Sequence, residues 1–438
     1  MRATNPWDQL MQGVVLPFHP DLVVPAMHEV ELPVPRPDPI GDVAAAARRQ
    51  VVERLAESIA PGTTVAVGGG SRGLADRVGL LAGAIAGLRE LGAEPFVVPA
   101  MGSHGGATAE GQREMLAHLG ITEASVGAEI RATMDTVEVA RSPAGMPVYL
   151  DRHAAGADRI LPVNRVKPHT CFKGPIESGC TKMAVVGFGK QPGAAQIHSC
   201  GPVEMRDRLL AGIAALRSTG RLLGGVASIE STTGDVVQVR ALTADEVGGE
   251  VERDLTDFAR TLVPPLPFAE IDVLIVERGG KDISGTTLDP NVTGRFWVHG
   301  LADAASPQVS TIVLLGITEV SGGNVLGIGF ADFVPADVAG DRLPEDVPQL
   351  LHRRRGRGAP QPDADGAALR GRLHPGRAQH VRARCARAEA GGADHRHPAP
   401  HRLLGERRTP GPVAGGRRRA LNLARRSRPG GLPPMRSP

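Results

Sequence analysis

Residues 63–100 read TTVAVGGGSRGLADRVGLLAGAIAGLRELGAEPFVVPA, and this stretch decides the fold class. TTVAV is a short apolar run typical of a buried strand, and EPFVVPA is a second one. Between them, LADRVGLLAGAIAGLRELG carries apolar residues at helical spacing. A strand, a helix and a second strand in this order predict a β-α-β unit, in which the two strands lie parallel.

Four further apolar runs extend this pattern along the chain, with helical stretches between them. They read DRILPVNRV (158–166), GRLLGGVASI (220–229), IDVLIVERGG (271–280) and STIVLLGI (310–317). The sequence therefore predicts the α/β class with largely parallel sheets. Proline-rich residues 262–272, LVPPLPFAEID, indicate a linker. We predict one domain over 1–264, a second and incomplete α/β domain over 271–350, and a cleft between them.

The charge of the chain is unevenly distributed. The formal net charge is +3, yet residues 351–438 hold 21 Arg, no Lys and five acidic residues, while the remainder holds 29 basic and 42 acidic residues. This tail also lacks Ile, Phe, Tyr and Trp, so it cannot build a core and is expected to be disordered. One interpretation is a nucleic-acid-binding arm, but no aromatic residues are interleaved with the arginines.

We favour a different explanation of the tail. An out-of-frame read of a GC-rich gene produces this Arg, Ala, Pro and Gly composition, and a frameshift between about residues 340 and 360 would have replaced the true C-terminus. Resequencing the gene in this region tests the hypothesis. An intact frame across homologous genomic copies would contradict it.

Two features of the sequence bear on the cellular compartment. No apolar run is long enough to cross a membrane, and the N-terminus, MRATNPWDQLMQG, lacks the basic and apolar regions of a signal peptide. We therefore expect a cytoplasmic protein. Four Cys are too few for a disulfide framework in a chain of this length, so Cys171, Cys180 and Cys200 are expected to be reduced thiols.

The turn after the first strand holds a glycine pattern, G-x-G-x-x-G. It consists of Gly68, Gly70 and Gly73, followed about 20 residues later by Glu90 and Glu94. Such glycines let backbone N–H groups approach a phosphate at the start of a helix, and Arg72 can grip an anion with two N–H groups. A tight strand-to-helix turn without any ligand explains the same glycines, so the pattern alone leaves both interpretations open.

His104 lies in a second glycine-rich turn, AMGSHGGATAEGQREML, after the strand EPFVVPA. Thr108 and Glu110 indicate that a helix begins directly after this turn. A core histidine is normally embedded in an apolar run, whereas the small residues around His104 leave room for a ligand. This setting favours a functional role for His104.

Residues 164–198, NRVKPHTCFKGPIESGCTKMAVVGFGKQPGAAQIH, show no clear helical or strand period. Their candidate functional side chains are Lys167, His169, Lys173, Lys182, Lys190 and His198. A solvated loop with core cysteines is the plain alternative, and the irregular Cys spacing does not favour an iron–sulfur site. Glycine and proline fix an irregular path close to a ligand, and two histidines with an embedded lysine suit acid–base, metal or covalent chemistry.

Five motifs together resemble the nickel-pincer lactate racemase family. They are SRG at 71–73, GSHGG at 102–106, KPH at 167–169, ESGCTK at 177–182, and His198. Their order agrees with that family, and the resemblance covers roughly residues 10–335, which makes it much more specific than a single glycine loop.

The resemblance implies an isomerase, a racemase or epimerase of a small 2-hydroxy acid, whose first domain binds the cofactor. It implies that Lys182 carries a nickel pincer nucleotide covalently and that His198 completes a square-planar nickel site. His104 and His169 would act as the two acid/base groups. One takes the hydroxyl proton while hydride passes to the cofactor, and the other supplies a proton when hydride returns to the opposite face.

Gly68, Gly70, Ser71 and Arg72 are expected to bind the cofactor. The substrate-binding Gln and Lys of the family have no clear match in DPNVTGRFW, so Arg295 or Lys281 is expected to bind the substrate carboxylate instead. The expected partners are the 2-hydroxy acid and the enzymes that build the cofactor, without nucleic acid or membrane. Two alternatives stay open: an NAD-dependent oxidoreductase using the glycine turn, which leaves Lys182 and His198 without a role, and a non-catalytic nucleotide- or metal-binding protein.

Overall fold

The structure is a computed structural model that describes residues 27–32, 34–70, 74–298, 300–321, 323–335 and 338. The predictions for the tail at 351–438, including its disorder and the frameshift, lie outside these residues. So does the end of the second predicted domain.

The described residues form strands and helices in alternation along much of the chain. The strands are β1 (Thr64–Gly69), β2 (Glu94–Pro99), β3 (Thr136–Arg141), β4 (Pro147–Asp151), β5 (Arg159–Arg165), β6 (Gly224–Glu230), β7 (Val236–Thr243), β8 (Glu270–Val276) and β9 (Gln308–Leu314). The helices are α1 (Val43–Leu55), α2 (Arg77–Glu90), α3 (Ala109–His118), α4 (Glu123–Val126), α5 (Arg152–Gly156), α6 (Gly179–Lys182), α7 (Lys190–His198), α8 (Pro202–Arg217), α9 (Glu250–Thr261), α10 (Lys281–Ser284) and α11 (Pro290–Thr293). A π-helical turn covers Met183–Gly187, and 3₁₀ turns cover Ala56–Ser58, Gly105–Ala107, Glu319–Ser321 and Ile328–Phe330.

The central sheet has five strands in the order β2-β1-β5-β6-β7. β1 pairs parallel with β2 and with β5, and β5 pairs parallel with β6. The predicted α/β class with a mostly parallel sheet is therefore confirmed. β7 runs antiparallel to β6 because residues 231–235 between them are too few for a crossover, and β3 and β4 form a separate antiparallel pair.

The predicted β-α-β unit is confirmed as β1, α2 and β2. Asp76 caps the helix by accepting a hydrogen bond from the backbone N of Gly79 at 3.1 Å. Along β1, Ala66 packs into the apolar cluster on one side of the sheet and Val67 into the cluster on the other side. Side chains alternate across a strand, so both faces of this sheet are covered, as parallel sheets require.

A second, smaller unit follows the proline-rich stretch. Residues 262–269 separate the end of α9 from β8, which pairs parallel with β9. Ile271, Leu274, Ile312 and Leu314 belong to its small core. The domain boundary placed at the linker stays a prediction. Among the described residues, no helix is both long and apolar enough to cross a membrane.

The two units meet at the segment that follows β5. Lys167 Nζ donates a hydrogen bond to the carbonyl of Ser284 at 2.5 Å, and Asn291 Nδ2 donates to the carbonyl of His169 at 3.2 Å. Lys173 Nζ also bonds Asn291 Oδ1 and lies 4.9 Å from the ring centre of Phe296. The KPH motif is therefore held between the central sheet and the second unit.

Candidate functional site

The central sheet brings the predicted motifs together at the carboxyl ends of its strands. β2, β1 and β5 are neighbours and run parallel, so their carboxyl ends lie on the same side. The turn carrying His104 follows β2, the glycine turn follows β1, and the KPH motif follows β5. Ligands of open α/β sheets bind outside the carboxyl ends of the strands, and these motifs occupy that position.

The central contact of the site joins Lys182 to His169. Lys182 Nζ lies 2.5 Å from His169 Nε2, and both residues are half-buried. The imidazole also packs against Phe172, with ring centres 4.4 Å apart, and the lysine Nζ lies 5.8 Å from the same ring. The two residues that the resemblance assigns to the tether and to acid–base chemistry are thus in direct contact.

The hydrogen bonds of His169 fix its tautomer. The backbone N of Cys171 donates to His169 Nδ1 at 3.1 Å, so Nδ1 is an acceptor and the proton of the neutral ring lies on Nε2. A hydrogen bond from Nε2–H to Lys182 Nζ requires a lone pair on the amine. This geometry is therefore consistent with a neutral, nucleophilic lysine at position 182.

His104 has the opposite tautomer. Its Nδ1 lies 2.6 Å from the carbonyl oxygen of Met101, and because a carbonyl only accepts, Nδ1 carries the proton. Nε2 of the neutral ring then carries the lone pair. His104 is exposed on its turn, and the predicted helix after it begins as expected, with the Thr108 side chain accepting from Gly111 N at 3.0 Å.

A fully buried carboxylate holds the loop of His169. Glu177 Oε2 accepts from the backbone N of His169 at 2.7 Å. Its other oxygen, Oε1, accepts from Gly174 N at 3.1 Å and from Arg260 Nη2 at 2.8 Å. Sequence reasoning placed Glu177 in a motif but gave it no role, although an acid inside a glycine-rich motif is the signal that points to one.

A second buried carboxylate, Glu252, holds the turn of Lys182. It accepts from the backbone N of Thr181 at 3.0 Å, from Thr181 Oγ1 at 2.5 Å and from Gly248 N at 2.8 Å. Burial raises the pKa of this carboxyl, and the hydrogen bonds from Thr181 oppose that rise. No sequence signal distinguished Glu252, because an acid in an amphipathic helix normally faces solvent.

His198 lies at the carboxyl end of α7 and is half-buried. The π-helical turn, a turn at 188–189 and α7 connect Lys182 to His198, and the path bends at Lys190, whose φ is 51°. Within the described part of the chain, no group of three or more His, Cys, Asp or Glu side chains is arranged to hold a metal ion.

The glycines of the first turn are required by packing. A Cβ on Gly68 would lie 2.5 Å from the ring of Phe188, and a Cβ on Gly70 would lie 2.7 Å from the sulfur of Met101. Gly70 also has φ of 102°, which side-chain-bearing residues rarely adopt. These contacts favour the plain explanation of the glycines. Ser71 and Arg72 lie outside the described residues, so cofactor binding by this turn stays a prediction.

The acids of the glycine pattern lie away from the turn. Glu94 pairs in register with Thr64 at the amino ends of β2 and β1, whereas Gly69 pairs with Pro99. Five residues of strand separate Glu94 from the turn by roughly 16 Å, so it cannot bind a ribose next to it. Glu90 pairs with Arg48 at 2.5 Å instead. The geometry does not favour the NAD-dependent alternative.

The two predicted carboxylate-binding cations have different settings. Arg295 is buried, with Nη1 donating to Asp332 Oδ2 at 2.6 Å and Nη2 donating to the carbonyl of Val309 at 2.7 Å. These contacts stabilise the second unit and disfavour the substrate-binding role predicted for Arg295. Lys281 begins α10, whose last residue, Ser284, contacts Lys167, so Lys281 is the better placed of the two.

The lysine of the KPH motif has an altered acidity. Burial lowers the pKa of Lys167 from 10.5 to about 8, with the neighbouring Arg165 adding to the effect and Asp289 opposing it. Cys180 contributes no reactive thiolate, because burial raises the pKa of its thiol well above the usual value. Cys171, Cys180 and Cys200 form no disulfide, which confirms the prediction of free thiols.

Comparisons with known proteins add a distant structural similarity. No family model matches the chain, and no curated protein matches it. The lactate racemase apoprotein from Thermoanaerobacterium thermosaccharolyticum is a structural neighbour with 13% identity and a TM-score of 0.40, over 55% of this chain and 60% of that chain. The chain thus spans three fifths of that protein, and values this low do not show a shared activity.

Proposed function

We propose that this protein is a racemase or epimerase of a small 2-hydroxy acid. The observation that carries the proposal is the opposite tautomers of its two candidate acid/base histidines. His104 offers a lone pair at Nε2, whereas His169 offers a proton at Nε2. Inverting a carbinol carbon through a flat 2-oxo acid requires a base and an acid, and neutral imidazoles in these two forms supply one of each.

A nickel pincer nucleotide at Lys182 belongs to the same proposal. The fit rests on the nucleophilic form of the Lys182 amine, which attachment through an acyl or thioacyl bond requires. His198 would be the single protein ligand, because the sulfur and carbon donors come with the nucleotide, and such a set suits square-planar nickel. When bound, the group would supply a reversible hydride acceptor for the carbon of the substrate.

The remaining steps fall to side chains of this chain. In one direction His104 Nε2 would take the hydroxyl proton, and His169 Nε2–H would give its proton to the oxygen when the opposite enantiomer forms. Solvent would then remove the extra proton from His104 and return one to Nε2 of His169, which restores both neutral rings. The reverse reaction would start from the opposite proton distribution, with Nε2 of His104 protonated and Nε2 of His169 deprotonated. Lys281 of the second unit is the proposed partner of the carboxylate, and the 2-hydroxy acid and the cofactor-building enzymes are the proposed partners of the protein.

The first test concerns the cofactor. The protein would be produced together with enzymes that build the pincer nucleotide, and its intact mass, nickel content and Lys182 peptide would be measured. We expect an adduct on Lys182 and about one nickel per chain, in keeping with a four-coordinate site. Lys182→Arg should abolish the adduct, whereas Lys173→Arg, in the same segment, should retain it. An unmodified Lys182 in the folded wild type would contradict the proposal.

The second test concerns the reaction. Single enantiomers of small 2-hydroxy acids carrying deuterium at the carbinol carbon would be incubated with the loaded protein and separated on a chiral column. Racemisation with retained deuterium supports hydride transfer, while exchange with solvent would show proton abstraction at carbon instead. An adduct without turnover would favour the non-catalytic nucleotide-binding alternative, provided that a chain with its reading frame restored is also inactive. Turnover only with added NAD would favour the oxidoreductase.

A further inference from the structure

We infer that Lys190, Gln112 and Asp151 form a buried brace that positions His104 relative to the helix carrying His198. The three side chains are fully buried. The brace holds the His104 turn whichever reaction the protein catalyses. Its effect on catalysis rests on the proposed function.

Lys190 is the centre of the buried brace. Its Nζ lies 3.0 Å from Asp151 Oδ2, an ion pair rather than an aligned hydrogen bond. It donates to the carbonyl of Pro99 at 2.5 Å and to Gln112 Oε1 at 2.8 Å. These two hydrogen bonds use two of the three N–H donors of the ammonium group, and Asp151 supplies the opposite charge beside it. Burial lowers the pKa of Lys190, and the charge of Asp151 opposes that change.

Gln112 carries the connection from Lys190 to the turn. Its Oε1 is occupied by the lysine, which leaves Nε2 to donate to the carbonyls of Gly102 at 2.9 Å and His104 at 3.2 Å. The same turn is closed from within by the bond between His104 Nδ1 and Met101. The position of the imidazole therefore depends on the backbone oxygens that Gln112 holds.

Lys190 links this turn to the metal-ligand candidate. It is the first residue of α7, and His198 is the last, so the anchored end of the helix and the candidate ligand belong to one rigid element. Lys190 has φ of 51°, a conformation that costs about 1 kcal/mol or more for a residue with a side chain. At the tip of the Lys190 side chain, the ammonium group is held by Asp151 at the end of β4 and by Pro99 at the end of β2.

The first experiment measures the turn without any cofactor. Gln112→Met keeps the length of the side chain but removes both donors to the turn. We expect amide hydrogen exchange at Ala107, whose N–H bonds the His104 carbonyl, to rise on the order of tenfold. Gln50→Met is the matched control, because Gln50 bonds Ala241 in β7 at the opposite edge of the sheet and should leave Ala107 unchanged.

The second experiment separates positioning from general stability. In the loaded protein, Gln112→Met should lower kcat at least tenfold with little change in KM, while the Lys182 adduct mass and nickel content stay as in the wild type. Unchanged exchange at Ala107, or an equal rise in both variants, would overturn the brace. Faster exchange with an unchanged kcat would overturn its catalytic meaning. If the loaded wild type shows no turnover, the proposed function fails, and the exchange experiment still decides whether the brace holds the turn.

Discussion

Replacing Glu177 with Gln tests whether a buried carboxylate holds the His169 loop. Glu177 has no exposed surface, and its two oxygens accept from three donors that include Arg260. An amide of the same shape offers only one oxygen. If the NH₂ of Gln took the place of Oε1, it would face two other donors, Arg260 and the backbone N of Gly174. The side chain should therefore turn its NH₂ toward the backbone N of His169 instead.

The cost of Glu177→Gln can be worked from these contacts. The backbone N–H of His169 loses its acceptor, and a donor left without one costs about 1–3 kcal/mol. The remaining bond from Arg260 changes from an ionic to a neutral acceptor and loses roughly half its strength. We therefore expect the free energy of unfolding to fall by about 3 kcal/mol, together with faster exchange of the His169 amide.

Urea unfolding measures the free energy of unfolding of the wild type, of Glu177→Gln and of a control variant. Glu204→Gln is the matched control, because Glu204 also pairs with an arginine, Arg208, at 3.8 Å, but its side chain is 62% exposed. That change should cost less than about 1 kcal/mol. If Glu177→Gln costs no more than the control, the carboxylate does not hold the loop, and the account of how His169 is oriented is wrong.

Three further predictions follow from the site and its surroundings. The pKa of Lys167 is about 8 in the folded protein and 10.5 in the unfolded chain, so the unfolded chain binds more protons between these two pH values. The free energy of unfolding should therefore rise by up to ~3 kcal/mol from pH 8 to pH 10.5. Urea unfolding of Lys167→Met across the same pH range should lack this increase. Gly70→Ala should lower stability by about 2 kcal/mol or more in thermal unfolding, whereas Gly41→Ala, with open space around it, should have little effect, and equal losses would contradict the packing argument. Arg295→Ala should cost about 3–5 kcal/mol by leaving Asp332 buried without its partner, and a raised KM without lost stability would return Arg295 to the substrate site.

The sequence predicted those parts of the fold whose signals are local. β1, α2 and β2 carry apolar residues at the period of each element, and Thr108 caps α3 as its position indicates. The antiparallel pair β3 and β4 was not predicted, because β3 is largely exposed and its alternation of Val137, Glu138 and Val139 is too brief to identify a strand. Local pattern therefore gave the parallel sheet and missed the hairpin beside it.

The candidate site shows the same division. Glycine-rich turns and isolated histidines stand out in a sequence, so His104, His169 and Lys182 could be selected before their contacts were known. Arg295 was selected as a free cation because its partner, Asp332, lies 37 residues away and is joined to it only by the fold. Residues that act through long-range contacts carry no local signal, and Glu252 is another such case.

Buried charges around the site provide the last argument for its position. Burying an ionic group costs several kcal/mol, and apolar residues of the same volume would often stabilise a fold better. Glu177 holds His169, Glu252 holds the residue beside Lys182, and Lys190 holds the His104 turn through Gln112. Each charge thus fixes the backbone next to a different candidate functional residue. Fixed backbone at these three places is what the proposed reaction, with its two imidazoles and one amine, would require.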